Sequence, residues 1–394
     1  MKQKQFHILA FGAQGAGVSG GDRIFIEIAR RLKSTIEIHV WVSDEGKAMC
    51  TRMNLSHSKV IYHVYSNKRF RLFGNIAFNL SLVATGIYVG LFKVPENRSV
   101  VYSASEFWMD SLPTFFWKLR NNSIQWIAAW YQTAPSPFKG FSLTNSPRNR
   151  MAALPYWFFQ QTTKPFIAKF ADILAVNNEN ETNEFPRHKH DNKVFIMYGA
   201  VDVSAVQKFE SKHKNTTKKY DAVFQGRFHP QKGVLELLEI WKLVVDVKPN
   251  AKLALIGNGP LWNDVSTKIE ALGLQNNIKL LGYVFDGVKK YTTFMQSKIV
   301  VHPAFYDSGG MASAEAMAFG LPCVGFDLPS YKDYYPKGMM KIPQTNLTAF
   351  AKAVIKLLDD KNTYKKYAAE AKLMVMKNWS WDTRVQDFEK FIKL

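Results

Sequence analysis

Two short segments of this 394-residue sequence gather cations, carboxylates and glycines in patterns suited to an anionic, hydroxyl-rich ligand. In the first, Gly226-Arg227-Phe228-His229-Pro230-Gln231-Lys232-Gly233, a strand-like run turns into a helix past two fixed cations, Arg227 and Lys232. Two cations at one turn can neutralise a diphosphate and stabilise it as a leaving group without a metal ion. The spacing alone also suits an ordinary surface turn. In the second, His302-Pro303-Ala304-Phe305-Tyr306-Asp307-Ser308-Gly309-Gly310-Met311 ends a strand and enters the helical run ASAEAMAFG. Gly309 and Gly310 would present backbone N–H groups at a helix start, a good place for phosphate or sugar oxygens. Glu315 lies among Ala314, Ala316 and Met317. An acid in such a helix is either paired or used to bind hydroxyls.

A third pattern, Gly15-Ala16-Gly17-Val18-Ser19-Gly20, has the G-x-G-x-x-G spacing of a dinucleotide-binding turn, and the next strand ends at Asp44. A nicotinamide-dependent dehydrogenase would use that turn but leaves Arg227, Lys232 and Glu315 without a purpose. Among the histidines, His188 and His190 sit in the charged run RHKH and read as solvated. His229 and His302 fall inside the two segments above. No spacing resembles a zinc site, and no metal or other cofactor is expected. The two cysteines, Cys50 and Cys323, are too few for a disulfide framework, which favours a reducing, cytoplasmic compartment. The start, MKQKQFHILAFGAQ, has no long apolar run or cleavage site, so no secretory signal is expected.

The motifs GRFHPQKG, LALIGNGP, LLGYV and above all FYDSGGMASAEAMAFGLPCV resemble those of the retaining family 4 glycosyltransferases. Weaker likenesses in the first half are the Gly20-Gly21 loop, ADILAVN and YGAVD, so the resemblance covers essentially the whole chain. It implies the GT-B fold: two doubly wound, Rossmann-like α/β domains facing across a cleft. It implies that Arg227 and Lys232 bind the donor diphosphate, that Glu315 binds the nucleotide ribose, and that Asp307 lies by the reacting sugar carbon. Ser308, Gly309, Gly310 and Met311 would hold sugar and phosphate oxygens. Gly226, Gly257, Asn258, Tyr283 and Val284 would border the nucleotide, while Gly20 and Gly21 face the acceptor. Two departures stand out. Asp307 replaces the usual Glu and is one methylene shorter. Many relatives carry a His in the first domain, where this chain has Trp130-Tyr131-Gln132-Thr133; Tyr131 or Gln132 could hydrogen-bond the sugar there, but neither is an evident base.

Strands alternate with helices along the chain, the pattern of parallel sheets covered on both faces. FHILAFG, IEIHVWVSD, VVYSAS, SIQWIAAW, DILAVN and KVFIMYG supply the first sheet, and YDAVFQG, AKLALIG, IKLLGYV, KIVVHP and PCVGFD the second. The polar stretch from Ser204 to Lys219 reads as a linker. We therefore expect an acceptor-binding domain over 1–203, a nucleotide-sugar domain over 204–375, and a C-terminal helix over 376–394 that packs back on the first domain. In such folds ligands bind at the carboxyl ends of the strands.

Lys plus Arg number 52 against 32 Asp plus Glu, a net charge of +20. A nucleic-acid partner would need that charge in one groove, but the halves 1–200 and 201–394 carry +11 and +9, so none is expected. From Ser111 to Ala171 there is no acid, with seven Lys or Arg and fourteen aromatic residues, Trp117, Trp126, Trp130 and the run Tyr156 to Phe159 among them. Lys139, Arg148 and Arg150 belong to this block, which suits a surface facing lipid. Leu72 to Phe92 holds 21 uncharged residues, long enough to span a bilayer. Asn75, Asn79, Gly86 and Gly90 would form a polar stripe along it, which favours a buried connecting helix. The expected activity is retaining transfer of a hexosyl group from a nucleotide-diphosphate sugar to a lipid-linked or cell-surface glycan, by an enzyme peripheral to the membrane. A GT-B protein that binds nucleotide sugar without turnover is the alternative.

Overall fold

Short runs of β-branched and aromatic residues form the strands, and each is returned to its sheet by a helix, so all pairings are parallel. The computed structural model describes residues 4–15, 17–55, 60–140, 147–213 and 216–394. The chain divides into two compact units. One comprises residues 1–134, 154–198 and 382–394, the other 135–153 and 199–381.

The first unit holds β1 (Lys4–Leu9), β2 (Ile36–Ser43), β3 (Val60–Tyr65), β4 (Val100–Ser103), β5 (Gln125–Trp130), β6 (Ile173–Val176) and β7 (Val194–Ile196) in the order β3-β2-β1-β4-β5-β6-β7. The order reverses between β1 and β4, which pair Phe6 with Val100 and Leu9 with Ser103. At such a switch point the loops leave in opposite directions and open a crevice at the strand ends. Buried β strands and helices enclose Trp117, Trp126 and Trp130. The C-terminal helix Trp381–Phe391 lies on this unit: Arg31 Nε bonds Asp382 at 2.7 Å, and Phe388 meets the rings of Tyr102 and Phe195.

The second unit holds β8 (Tyr220–Gln225), β9 (Leu253–Ile256), β10 (Ile278–Gly282), β11 (Ser297–His302), β12 (Cys323–Phe326) and β13 (Met339–Ile342), ordered β10-β9-β8-β11-β12-β13. Its switch point lies between β8 and β11, which align Val223 with Val300. Phe224, Leu237, Trp241, Leu255 and Phe326 are central to its core.

The polar stretch read as a linker is instead largely helical over Val203–Lys212. Asp202 caps it, accepting from the Ala205 amide at 3.0 Å, and Val206 and Phe209, three residues apart, are buried. Polarity on the outer face hid that apolar pair.

Candidate functional site

The two motif segments of the second unit are the loops that follow β8 and β11, the strands on either side of its switch point. Backbone and side chain knit them together. Gln231 O accepts from the Phe305 amide at 2.9 Å. Gly233 adopts φ 62°, and a Cβ there would lie 2.0 Å from Pro303 O, so only glycine allows the approach. Lys232 Nζ then reaches Asp307 Oδ2 at 2.7 Å.

Asp307 is the hub. Oδ2 also takes His302 Nε2 at 3.0 Å and the Tyr331 hydroxyl at 3.1 Å, while Oδ1 accepts the amides of Gly309 and Gly310 at 3.2 and 3.1 Å. Burial opposes ionisation, but the Lys232 ammonium and His302 outweigh it and hold the carboxyl well below its usual range. Ser330 Oγ donates to the Asp307 carbonyl at 2.7 Å. Arg227 stands exposed near His229, in no ion pair among the described residues. Burial, with Arg227 and then Lys232 close by, brings His229 down to about 4, so it is neutral at pH 7.

The neighbouring loop after β9 rests on the first one. Gly257 has φ 152°, and its Cβ would fall 1.9 Å from Gly226 O. The Phe228 amide donates to Asn258 O at 2.9 Å, and the Gly257 amide to Gly282 O at 2.8 Å. That brings Tyr283 and Val284 alongside. Tyr283 is 40% exposed and meets Phe285 edge-on, with centroids 4.9 Å apart, while Val284 is buried. Glu315, on the helix Met311–Met317, accepts from Gln225 Nε2 at 3.0 Å and pairs with Lys290. Lys290 is 3% exposed and also bonds Asp286 at 2.8 Å. Motif residues thus converge on the carboxyl edge of β8, β9 and β11, but the Gly309 and Gly310 amides expected to hold sugar and phosphate oxygens are taken by Asp307, because the loop curves its carboxylate back over them.

In the first unit, the glycine-rich turn joins β1 to the helix Gly20–Arg31. Ser19 and Asp22 form a reciprocal capping box at its start. Gly21 lies against the ring of Tyr131, where a Cβ would come within 3.2 Å of Cδ2. Tyr131 is buried, and its hydroxyl pairs with that of Tyr102. The Gln132 carbonyl accepts from Tyr156 Oη at 2.6 Å and Gln160 Nε2 at 2.7 Å. Buried carboxyls fasten these loops. Glu181 takes the Thr133 amide at 3.0 Å, Glu106 takes Gln160 at 2.9 Å, and Asp110 takes the Gly12 amide at 3.0 Å and Ser105 Oγ at 2.5 Å. Burial raises Asp110 to about 7 despite those hydrogen bonds. Among the described residues, no cluster of three His, Cys, Asp or Glu side chains could hold a metal ion.

Residues 206–374 match the family glycosyl transferases group 1. The poly(glycerol-phosphate) alpha-glucosyltransferase of Bacillus subtilis is 27% identical over 168 residues, 41% of this chain and 24% of that protein. An uncharacterized glycosyltransferase of Methanocaldococcus jannaschii is 23% identical over 320 residues, 78% of this chain and 77% of its own. Against the first two relatives the matched stretch spans 24% and 41% of their length. Solved structures extend the likeness to the whole chain. HepE of Anabaena, in complex with UDP and glucose, superposes at a TM-score of 0.70, with 14% identity and 100% of both chains covered. A TarM variant of S. aureus, bound to fondaparinux, alpha-GlcNAc-glycerol and UDP, reaches 0.71 at 12% identity, covering 99% of this chain and 100% of its own. The fold is GT-B. Within this GT-B chain, the stretch that matches group 1 falls in the second unit, and its motif loops are the ones that meet at the β8–β11 switch point.

Several readings change on this geometry. Trp117, Trp126, Trp130 and Tyr131 belong to the core, not to a lipid-facing surface, because composition does not distinguish a ring that packs from one that projects. Of that block Phe138, Met151, Leu154 and Phe158 are exposed, as are Lys139 and Arg150, while Phe141 and the Arg148 side chain lie outside the described residues. Ala16 of the glycine turn also lies outside them. His188 is buried, with Nε2 2.9 Å from Ala171 O, whereas His190 is solvated. Lys290, Tyr331 and Asp110 contribute to the sites with no motif to announce them. They come from elements distant in sequence, and only a lysine inside the apolar run VKKYTTFM hinted at one of them.

Proposed function

We propose that this chain is a retaining glycosyltransferase that moves a hexosyl group from a nucleotide-diphosphate sugar to a hydroxyl of a lipid-linked or cell-surface glycan, at the cytoplasmic face of the membrane. The observation that carries the reading is the Lys232–Asp307 pair, which joins the two motif loops at one switch point. Arg227 and Lys232 take the diphosphate, Glu315 the ribose, and the Tyr283–Val284 edge with Gly257 and Asn258 borders the base. Ser308 and Met311 flank the sugar. Gly309 and Gly310 act through Asp307, which occupies their amides. The C1–phosphate bond breaks, C1 bonds the acceptor oxygen on the same face, and the acceptor proton passes to the departing phosphate oxygen. The two cations stabilise the charge that develops on that phosphate. No His is required at Tyr131-Gln132, whose roles are to shape the acceptor side with Gly20 and Gly21. Relatives bound to UDP make uridine the first base to test.

Thermal shift against UDP, GDP, ADP and NAD tests the donor site. A ligand at 100 times its Kd adds about 2.7 kcal/mol, a shift of a few degrees. One nucleoside diphosphate should stabilise the wild type and leave an Arg227→Ala/Lys232→Ala variant unmoved. Stabilisation by NAD alone, or by none of them, would refute the reading. Donor binding without transfer or donor hydrolysis would leave a nucleotide-sugar-binding protein.

A further inference from the structure

The helix Gly74–Phe92 carries no charge, yet the fold covers it on one side only. Its inner face packs against the helix Trp108–Arg120. Cβ atoms at Gly86 and Gly90 would come within 2.6 Å of Met109 O and 2.8 Å of Pro113 Cα, and Trp117 Nε1 bonds Val89 O at 3.1 Å. The buried connecting helix expected for this segment is therefore only half right. Its polar residues are accounted for as well: Asn79 receives Gln14 at 3.0 Å, and Asn75 receives Arg71 at 2.8 Å.

On the outer face Ile76, Leu80, Ala84, Tyr88 and Leu91 share an arc of about 120°. Ile76 is 80% exposed and Leu80 61%, and Phe73 just before the helix and Phe92 at its end are 77% and 68% exposed. A helix apolar on every side is stable only if both faces are covered. The surroundings indicate by what. From Gly46 to Pro95 the sequence has seven Lys or Arg and no acid. Lys68 and Arg69 are exposed just before the helix and Lys93 just after it. We propose that the outer face of Gly74–Phe92 is a docking surface for an anionic lipid bilayer, on which the helix lies in the plane of the headgroups with its cationic ends against them.

Charge selects this occupant. A second copy of the chain would bring two cationic collars together, whereas anionic lipid satisfies the apolar stripe and both collars at once. At 19 residues the helix is nearly 30 Å long, enough to span a bilayer, but the tight glycine contacts hold one side to the protein. The surface differs from the Ser111–Ala171 block, most of whose tryptophans are internal. Gln14, in the glycine-rich turn, is bonded by both Asn79 and Arg71, so the docked helix is tied directly to that turn. The docking does not depend on the acceptor assignment; the consequence that the acceptor side is held at the lipid surface does.

Co-sedimentation of the full chain with phosphatidylglycerol–phosphatidylcholine vesicles, against phosphatidylcholine alone, tests this. The wild type should bind the anionic vesicles and bind the neutral ones much more weakly. Ile76→Ser/Leu80→Ser, by removing buried apolar area, and Lys68→Glu/Arg69→Glu, by reversing two charges, should each weaken binding at least about tenfold. Phe138→Ser/Lys139→Glu should leave it unchanged. Equal binding by wild type and both helix variants, or no preference for anionic vesicles, overturns the proposal. So does a wild-type dimer in light scattering that Ile76→Ser/Leu80→Ser abolishes, which would make a second copy the occupant. The substituted side chains are exposed, so unchanged melting temperatures verify folding, and the UDP shift measured on the same samples separates failure here from failure of the donor reading.

Discussion

The two units present their switch points in different chemical styles. In the second, full charges hold the loops: Lys232 on Asp307, and Lys290 on Glu315 and Asp286. In the first, one ion pair, Arg71 on Glu45, holds the glycine-rich turn, and the other loops are held by buried carboxyls that accept amide and hydroxyl protons, as at Asp110, Glu106 and Glu181. On the function proposed above, a site that meets a diphosphate gains from cations held in place by countercharges, and one that meets sugar hydroxyls gains from shape and from fixed hydrogen bonds. The charged style needs particular residues at short spacing and leaves motifs; the hydrogen-bonded style can be assembled from scattered positions and leaves almost none.

Removing a charge from the second unit should have the largest effect. Lys290→Met keeps the volume but strands Glu315 and Asp286, and should cost about 2–4 kcal/mol in denaturant unfolding. A loss below about 1 kcal/mol would mean that the pair is no more than a surface ion pair. The first unit should respond in the opposite sense. Asp110 has its carboxyl raised from about 4 in the unfolded chain to about 7 in the folded one, so the folded state binds the extra proton between those values. Its contribution to stability is present below about pH 4 and is lost as pH rises to about 7. Asp110→Asn can still accept from Gly12 and can donate to Ser105. It should therefore be more stable than wild type at pH 8, by on the order of 2–4 kcal/mol, and the difference should shrink towards pH 4. A gap that does not change with pH would remove titration of Asp110 as its cause. For Asp307 the sign is reversed. Its carboxyl is depressed, so its contribution is kept above about pH 4 and fades only in stronger acid. The smallest change is Tyr131→Phe, which leaves the buried Tyr102 hydroxyl without that partner and should cost about 1 kcal/mol in the same unfolding measurement.

This difference also governs what the sequence made legible. Arg227, Lys232, Asp307 and Glu315 could be picked out because each motif is one strand end, one turn and one helix start, all local. That Asp307 would use the Gly309 and Gly310 amides itself was not legible, since it depends on the loop's curvature. Tyr331 and Lys290 reach the site from helices whose approach is a matter of packing. The alternation of strands and helices announced both sheets except the edge strands β3 and β13, and the helix Val203–Lys212 was masked by its polar face. For the tryptophans of the first unit, composition gave a correct count and no direction. The helix Gly74–Phe92 showed the reverse problem: its glycines looked polar on a helical wheel, whereas they are contact points for a neighbouring helix.

The helix Trp381–Phe391 adds a constraint on the order of synthesis. Phe388 closes over Tyr102 and Phe195, and Glu389 accepts the Lys33 amide at 2.7 Å. A ribosome that has finished every strand of the first unit still holds that unit without this helix until the whole of 199–381 has been made, so the seam under Phe388 stays open for that interval.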